Sequence, residues 1–119
     1  MSTHEELDKA ITAHAAWKGK FRSFMKDELD LDPTVVEKCN VCDFGKWLDG
    51  SGRAALGASH AEVHKAHAEF HAVAAMVVRQ KKAGDAAGAE ASLGPFGEFG
   101  KATSALTLLV VAIRNAEAA

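Results

Sequence analysis

Four histidines, His60, His64, His67 and His71, share one stretch with the apolar residues Val63, Ala66, Phe70, Val73, Ala74 and Val77, which recur at helical spacing. At 100° per residue the four imidazoles fall within about 60° of one another, on a single flank of that apolar stripe. The spacing predicts a helix from Ala58 or Ser59 to about Lys82, with Gly84 as its C-terminal stop. One imidazole so placed is unremarkable; four on one flank are not. Histidines at i and i+4 stack one turn apart and can converge on one ion, the geometry of HExxH helices, although the glutamate of that protease motif is missing.

Such a helix needs partners, and the flanking sequence offers them. Ser2 or Thr3 can cap a first helix with Glu5 and Glu6 in its opening turn, and the pattern runs to about Leu29, ahead of Pro33. Its stripe is Leu7, Ala10, Ile11, Trp17, Phe21, Phe24 and Met25, and His14 falls inside it. An imidazole among aromatics needs a partner for each ring nitrogen: a carbonyl or water if it is only a core residue, an ion if it is more. Trp17, at i+3, can pack on that ring, and Lys18 extends its ammonium to water. After Gly84 the pattern gives a short helix from Asp85 to about Leu93, then a last helix from Gly94-Pro95 to about Ala116. Phe96, Phe99, Ala102, Leu106, Leu109, Val110 and Ile113 give that helix a broad apolar face, which Val111 widens. Two readings fit the surplus: a tightly packed bundle core, or a dimer contact around Leu108 and Val111. No stretch alternates as a strand would. The expected class is all-α, an antiparallel four-helix bundle with a short extra helical element carrying the cysteine ligand, formed by one domain over residues 1–119.

Between Asp30 and Gly57 the sequence is irregular. Asp32-Pro33-Thr34 reads as a turn and Asp49-Gly50-Ser51-Gly52 as a loop. Between them Cys39-Asn40-Val41-Cys42-Asp43-Phe44-Gly45-Lys46-Trp47-Leu48 holds both cysteines of the chain. Glycine and asparagine make this a poor regular helix, while Phe44, Trp47 and Leu48 require an apolar surface. The two thiols can be small buried hydrophobes, or a short turn-rich element can present one of them to the histidines.

With 119 residues, about half of them apolar, and a net charge of −2, the chain supports one modest core. Scattered lysines and arginines give no nucleic-acid footprint. The N-terminus is polar, and the apolar run from Leu106 to Ile113 is too short to span a bilayer, so no membrane insertion and a cytoplasmic location are expected. In a reducing compartment a lone CxxC is a metal or redox element rather than a structural disulfide.

In a bundle, an inward His14 can face an inward HxxxH pair, and one thiolate from the connecting element completes a set of four. Zinc accepts that mixture tetrahedrally, and thiolate with imidazole favours it over magnesium or calcium. A hemerythrin-like di-iron bundle is a rival, but it needs bridging carboxylates, for which Glu62 and Glu69 are the nearby residues, and it leaves Cys42 without a role. A hydrolytic zinc enzyme needs an open coordination position and a general base; four protein donors argue against it.

The segments His14-Ala15-Ala16-Trp17-Lys18, Cys42-Asp43-Phe44-Gly45-Lys46-Trp47 and His67-Ala68-Glu69-Phe70-His71 resemble the HxxWK, CxxGxW and HxxFH elements of the chemoreceptor zinc-binding family, in its order and at about its separations. The resemblance implies a four-helix domain, generally a homodimer, that binds Zn2+ through three histidines and a cysteine. It also implies regulation of a bacterial chemoreceptor or diguanylate cyclase rather than catalysis. Carried over by position, the ligands are His14, Cys42, His67 and His71, supported by Trp17, Asp43, Gly45, Trp47 and Phe70. Cys39, His60 and His64 depart from the pattern, as substitute ligands, a second metal or redox site, or bystanders. Beginning with its own methionine and carrying no signalling domain, the chain is expected to be stand-alone or excised, and to act through a partner.

Overall fold

A computed structural model describes residues 3–40, 42–94 and 96–118, with side chains to residue 116. The described residues are helical, with no strand among them, and form α1 (Thr3–Ala15), α2 (Trp17–Met25), α3 (Pro33–Val36), α4 (Asp43–Asp49), α5 (Gly52–Leu56), α6 (His60–Lys82), α7 (Ala86–Leu93) and α8 (Glu98–Ala118). A 3₁₀ turn at Gly57–Ser59 leads into α6. The bundle measures 45 × 25 × 22 Å. The long helix α6 runs through it, touching α3, α4, α7 and α8, while α1 packs on α8 and on α4. Leu7, Phe21, Leu48, Phe70, Phe99 and Leu106 meet in one apolar core. The expected bundle with a short helical element carrying the cysteine is what forms.

The first helix differs from expectation in two places. It is interrupted at Ala16, which keeps helical dihedrals (φ −64°, ψ −20°). Its N–H still reaches the Thr12 carbonyl at 3.1 Å, so the break loosens the ladder without making a turn. The helix then stops at Met25 rather than Leu29. Asp27 adopts φ 61°, and the Asp27 and Glu28 N–H groups donate back to the Phe24 and Ser23 carbonyls at 3.1 and 2.9 Å. This is a Schellman closure with aspartate where glycine is usual. The same closure ends α6, there with Gly84 at φ 93° and Asp85 N–H on the Gln80 carbonyl at 2.9 Å; that stop is the one the sequence predicts.

Asp43 to Trp47, a poor regular helix by its residues, forms most of α4, the short helical element expected to carry the cysteine. Cys42 is its N-cap, in extended backbone (φ −78°, ψ 157°), and its sulfur accepts the Gly45 N–H. Gly45 is needed there because a Cβ would lie 1.7 Å from the Cys39 carbonyl oxygen. The expected loop at 49–52 shrinks to a tight turn, since α4 continues through Asp49 and α5 starts at Gly52. Gly52 lies against Trp47, whose carbonyl oxygen would be 2.6 Å from an added Cβ.

The expected Ser2 cap and the Pro95 start of the last helix lie outside the described residues; α8 is seen from Glu98, and α7 is capped by the Asp85 carboxylate on Gly88 N–H at 2.9 Å. By its length and the mean hydropathy of its most apolar 18-residue window, 1.4, the 86–116 stretch is long and apolar enough to cross a membrane. It is divided between α7 and α8, however, and Ala89, Phe99, Leu106 and Val110 are in the core. Leu108 and Phe96 remain exposed.

Candidate metal centre

Two helices, α1 and α6, and the N-cap of α4 converge on a small polar cluster inside the bundle. His14, Cys42, His67 and His71 each bring one donor atom, all within 4.8 Å of one another. His67 and His71 are one turn apart on α6, and their Nε2 atoms are 3.1 Å apart. Cys42 Sγ is 3.3 Å from His67 Nε2 and 3.7 Å from His71 Nε2. His14 enters from α1, its ring centroid 5.0 Å from that of His67.

The far side of two rings is pinned. His14 Nδ1–H donates to the Ala10 carbonyl at 2.7 Å, and His71 Nδ1–H donates to the Val36 carbonyl at 2.8 Å. Each bond fixes the tautomer and leaves an Nε2 lone pair for the cluster. The Ala10 bond is the core-histidine role considered for His14, and it is compatible with ligation by the other nitrogen. The Val36 bond gives α3 its purpose: Asp32 caps it by accepting the Thr34 N–H at 2.9 Å, and its last carbonyl then faces His71. No sequence pattern points to that carbonyl, because a main-chain acceptor carries no residue signature.

Apolar rings fill the remaining space. Phe70 lies edge-on to His14 at 4.9 Å and to His71 at 5.4 Å. Phe44 does the same for His14 at 5.7 Å and His67 at 5.1 Å, and Trp47 stacks on Phe44 at 5.8 Å. Trp17, expected against His14, packs instead on Phe70 and His71 at 6.3 and 6.4 Å. Asp43 is exposed in the first turn of α4.

Burial decides the charge state of the set. His14, His67 and His71 are only 4, 1 and 3% exposed. Burial lowers the pKa of each, and for His67, with His71 and His14 as neighbours, to about 3. Burial also pushes the Cys42 thiol up, against the N–H groups of Gly45 and Phe44. At neutral pH the cluster therefore holds neutral imidazoles and a thiol: soft donors with little charge of their own.

These donors fit zinc. A tetrahedral centre with Zn–N of about 2.0–2.1 Å and Zn–S of about 2.3 Å has donor–donor edges of about 3.3–3.6 Å. The three edges among Cys42, His67 and His71, 3.1, 3.3 and 3.7 Å, bracket that range, and the His14 donor completes a group whose atoms lie within 4.8 Å of one another. Two imidazole nitrogens so close need either a cation or one ring's own proton between them. The group contains no carboxylate, and Glu62 and Glu69 are exposed, so the donors do not fit a carboxylate-bridged di-iron site.

The other residues singled out in the sequence lie apart from this group. His60 bonds the Leu48 carbonyl through Nε2 at 2.8 Å, and His64 faces the Asp49 carboxylate at 3.8 Å near the surface. Cys39 lies outside the four-donor group, and its carbonyl is 3.5 Å from Cys42 Sγ. A family model described as the chemoreceptor zinc-binding domain matches residues 14–78, more than half of the chain and all four clustered residues. Neither the curated proteins nor the solved structures give a match. The chain belongs to the chemoreceptor zinc-binding domain family, and its metal is Zn2+.

Proposed function

We propose that the chain is a regulatory zinc module in which His14, Cys42, His67 and His71 hold one ion and Cys42 is the releasable ligand, reporting zinc or oxidants to a bacterial signalling partner. The observation that carries this reading is an asymmetry in how the donors are held. The three histidines are buried on bundle helices, two of them with Nδ1–H bonded to main-chain carbonyls. Cys42 is half-buried, at the N-terminus of a short helix whose contacts with α1 and α6 are few. Losing the thiolate would free α4 while leaving the histidine trio intact.

Zinc bound there supplies the positive charge that keeps Cys42 a thiolate against the effect of burial. With hypochlorous acid the thiolate sulfur gives up an electron pair and takes the hydroxyl while chloride leaves, forming a sulfenic acid that is a poorer ligand. Either loss of zinc or this oxidation releases α4 and changes the surface that the bundle presents. The module is not an enzyme in this reading, since four protein donors close a tetrahedral centre. The reader of the change is a second copy of the chain across the outer face of α8, where Leu108 is 71% exposed, and beyond it a chemoreceptor or a diguanylate cyclase. A free-thiol site of this kind suits the reducing cytoplasm.

The alternative is a purely structural zinc domain, and one experiment separates the two. Purified protein should contain one zinc per chain, and equimolar hypochlorous acid should release it to a chromophoric chelator with the helical circular dichroism largely kept. Zinc retained after Cys42 has been oxidised, or helix lost together with the metal, would make the site structural.

A further inference from the structure

On the side of the bundle formed by α2, α7 and α8 there is a second cavity, of about 610 Å³. Its volume lies within the range of small-molecule sites, roughly 300–1,000 Å³. Its apolar walls come from Phe21, Met25, Leu93 and Phe99; Phe21 and Phe99 are core residues whose rings meet at 4.8 Å. Three cations stand on its α2 wall, Lys18, Arg22 and Lys26. At i, i+4 and i+8 they share one face of the helix.

These cations are unlike the others near the same end of the bundle. Lys81, Lys82 and Arg79 pair with Asp27, Asp30 and Glu37, whereas Lys18, Arg22 and Lys26 form no ion pair with any described residue. Glu90 on the α7 wall is the acidic residue lining the cavity, and it pairs with none of them. A cavity with an apolar floor and a row of unpaired cations along one edge complements a ligand with an apolar body and one anionic end. Inorganic anions leave the floor exposed, and neutral apolar molecules leave the cations unused.

We propose that this cavity is a binding site for a small amphiphilic anion, a monocarboxylate with an aliphatic or aromatic body, seated against the half-buried Met25 and Leu93, over the buried rings of Phe21 and Phe99, with its carboxylate toward Arg22. The site is separate from the metal centre and independent of the regulatory reading above. Its floor is nevertheless one ring away from that centre, since Phe99 contacts Phe70 at 5.3 Å and Phe70 contacts His14 at 4.9 Å.

Isothermal titration of the zinc-loaded protein with decanoate, decanol and inorganic phosphate tests this directly. Decanoate should bind with sub-millimolar affinity at one site, and the other two at least about tenfold more weakly. Arg22→Glu should weaken decanoate about tenfold or more, and Glu90→Gln should strengthen it a few-fold, with zinc content and helical signal unchanged in both. The same monomeric decanoate should bind in the absence of any vesicle, which distinguishes a free acid from an anionic lipid surface. Equal affinity for decanol and decanoate, or an Arg22→Glu variant that binds decanoate as the native chain does, would overturn the proposal; so would binding seen only with anionic vesicles.

Discussion

The Val36 carbonyl accepts a hydrogen bond from His71 Nδ1 at 2.8 Å, joining residues 35 apart in the chain. It makes the four-residue helix α3 an orienting part of the candidate metal centre through a main-chain carbonyl. The segment is held by its own cap and by ion pairs from Arg79, Lys81 and Lys82 to Glu37, Asp27 and Asp30. All three pairs are exposed on at least one side, so solvent screens them and each adds little to stability. Asp32→Ala, which removes the cap, should cost about 1 kcal/mol locally. It should weaken zinc binding several-fold while touching no ligand, less than the roughly 10- to 100-fold loss that follows when an outer partner of a metal-bound histidine is removed outright. Competition against a chromophoric chelator measures it; an unchanged affinity would mean that α3 does not orient His71.

Direct removal of a donor should do much more. Cys42→Ser and His71→Ala are each expected to lower zinc affinity steeply, whereas Cys39→Ser should be mild because that side chain lies apart from the four-donor group. Equal losses in all three variants would show that the thiol has been misassigned.

The glycine of the cysteine element gives a sharper test, because two effects oppose each other. Alanine is a better helix former than glycine by about 1 kcal/mol, so Gly45→Ala in an unconstrained α4 should stabilise the protein. Here the added Cβ would sit 1.7 Å from the Cys39 carbonyl oxygen, a main-chain atom that must move. Movement of that turn also disturbs the Gly45 N–H bond to Cys42 Sγ at 3.3 Å. The variant should therefore be less stable in chemical denaturation and weaker for zinc, and a gain in stability would show that the turn is free to shift.

The two outcomes above also mark what could be read from the sequence. The flank of α6 and the inward position of His14 follow from a 3.6-residue period, and the four clustered residues stand where the family motifs put them. α4 is expected only as a short, poorly regular element because its cap is a cysteine and its third residue a glycine, both poor local helix signals, overridden by a sulfur that accepts a backbone N–H and by Phe44 and Leu48 in the core. The stop at Met25 is hidden for a related reason: aspartate rather than glycine takes the left-handed position. His60 and His64 follow the same period as His67 and His71, and only the tertiary placement of Leu48 and Asp49 separates the two pairs.

Charge states make the site sensitive to pH in a defined direction. The histidines His14, His67 and His71 have folded pKa values below the unfolded value of 6.5. The unfolded chain thus takes up protons first as the pH falls. Stability is fully present above pH 6.5 and is lost toward the folded values, about 3 for His67, at up to roughly 1.4 kcal/mol per pH unit for each histidine. Zinc-free protein melted between pH 7.5 and 4.5 should show a steadily falling midpoint. At pH 7.5, zinc binding should release close to one proton, from the Cys42 thiol that burial keeps protonated. A flat pH profile, or no proton release in a weakly buffered indicator assay, would contradict these charge states.

The last prediction concerns the outer face of α8. Leu106 and Val110 are 2% exposed against the core, whereas Leu108, between them in sequence, is 71% exposed, and Val111 is half-buried beside it. A leucine left so open on a helix otherwise packed on α1 and α6 is where a second copy would bury apolar surface. Light scattering should give a dimer at micromolar concentration, and Leu108→Glu or Val111→Asp should give a folded monomer. Each monomer should still bind one zinc, because all four donors come from one chain. A monomer that lost its metal would show that α8 pairing holds α1, and with it His14, in place; a dimer that survived both substitutions would move the interface to another face of the bundle.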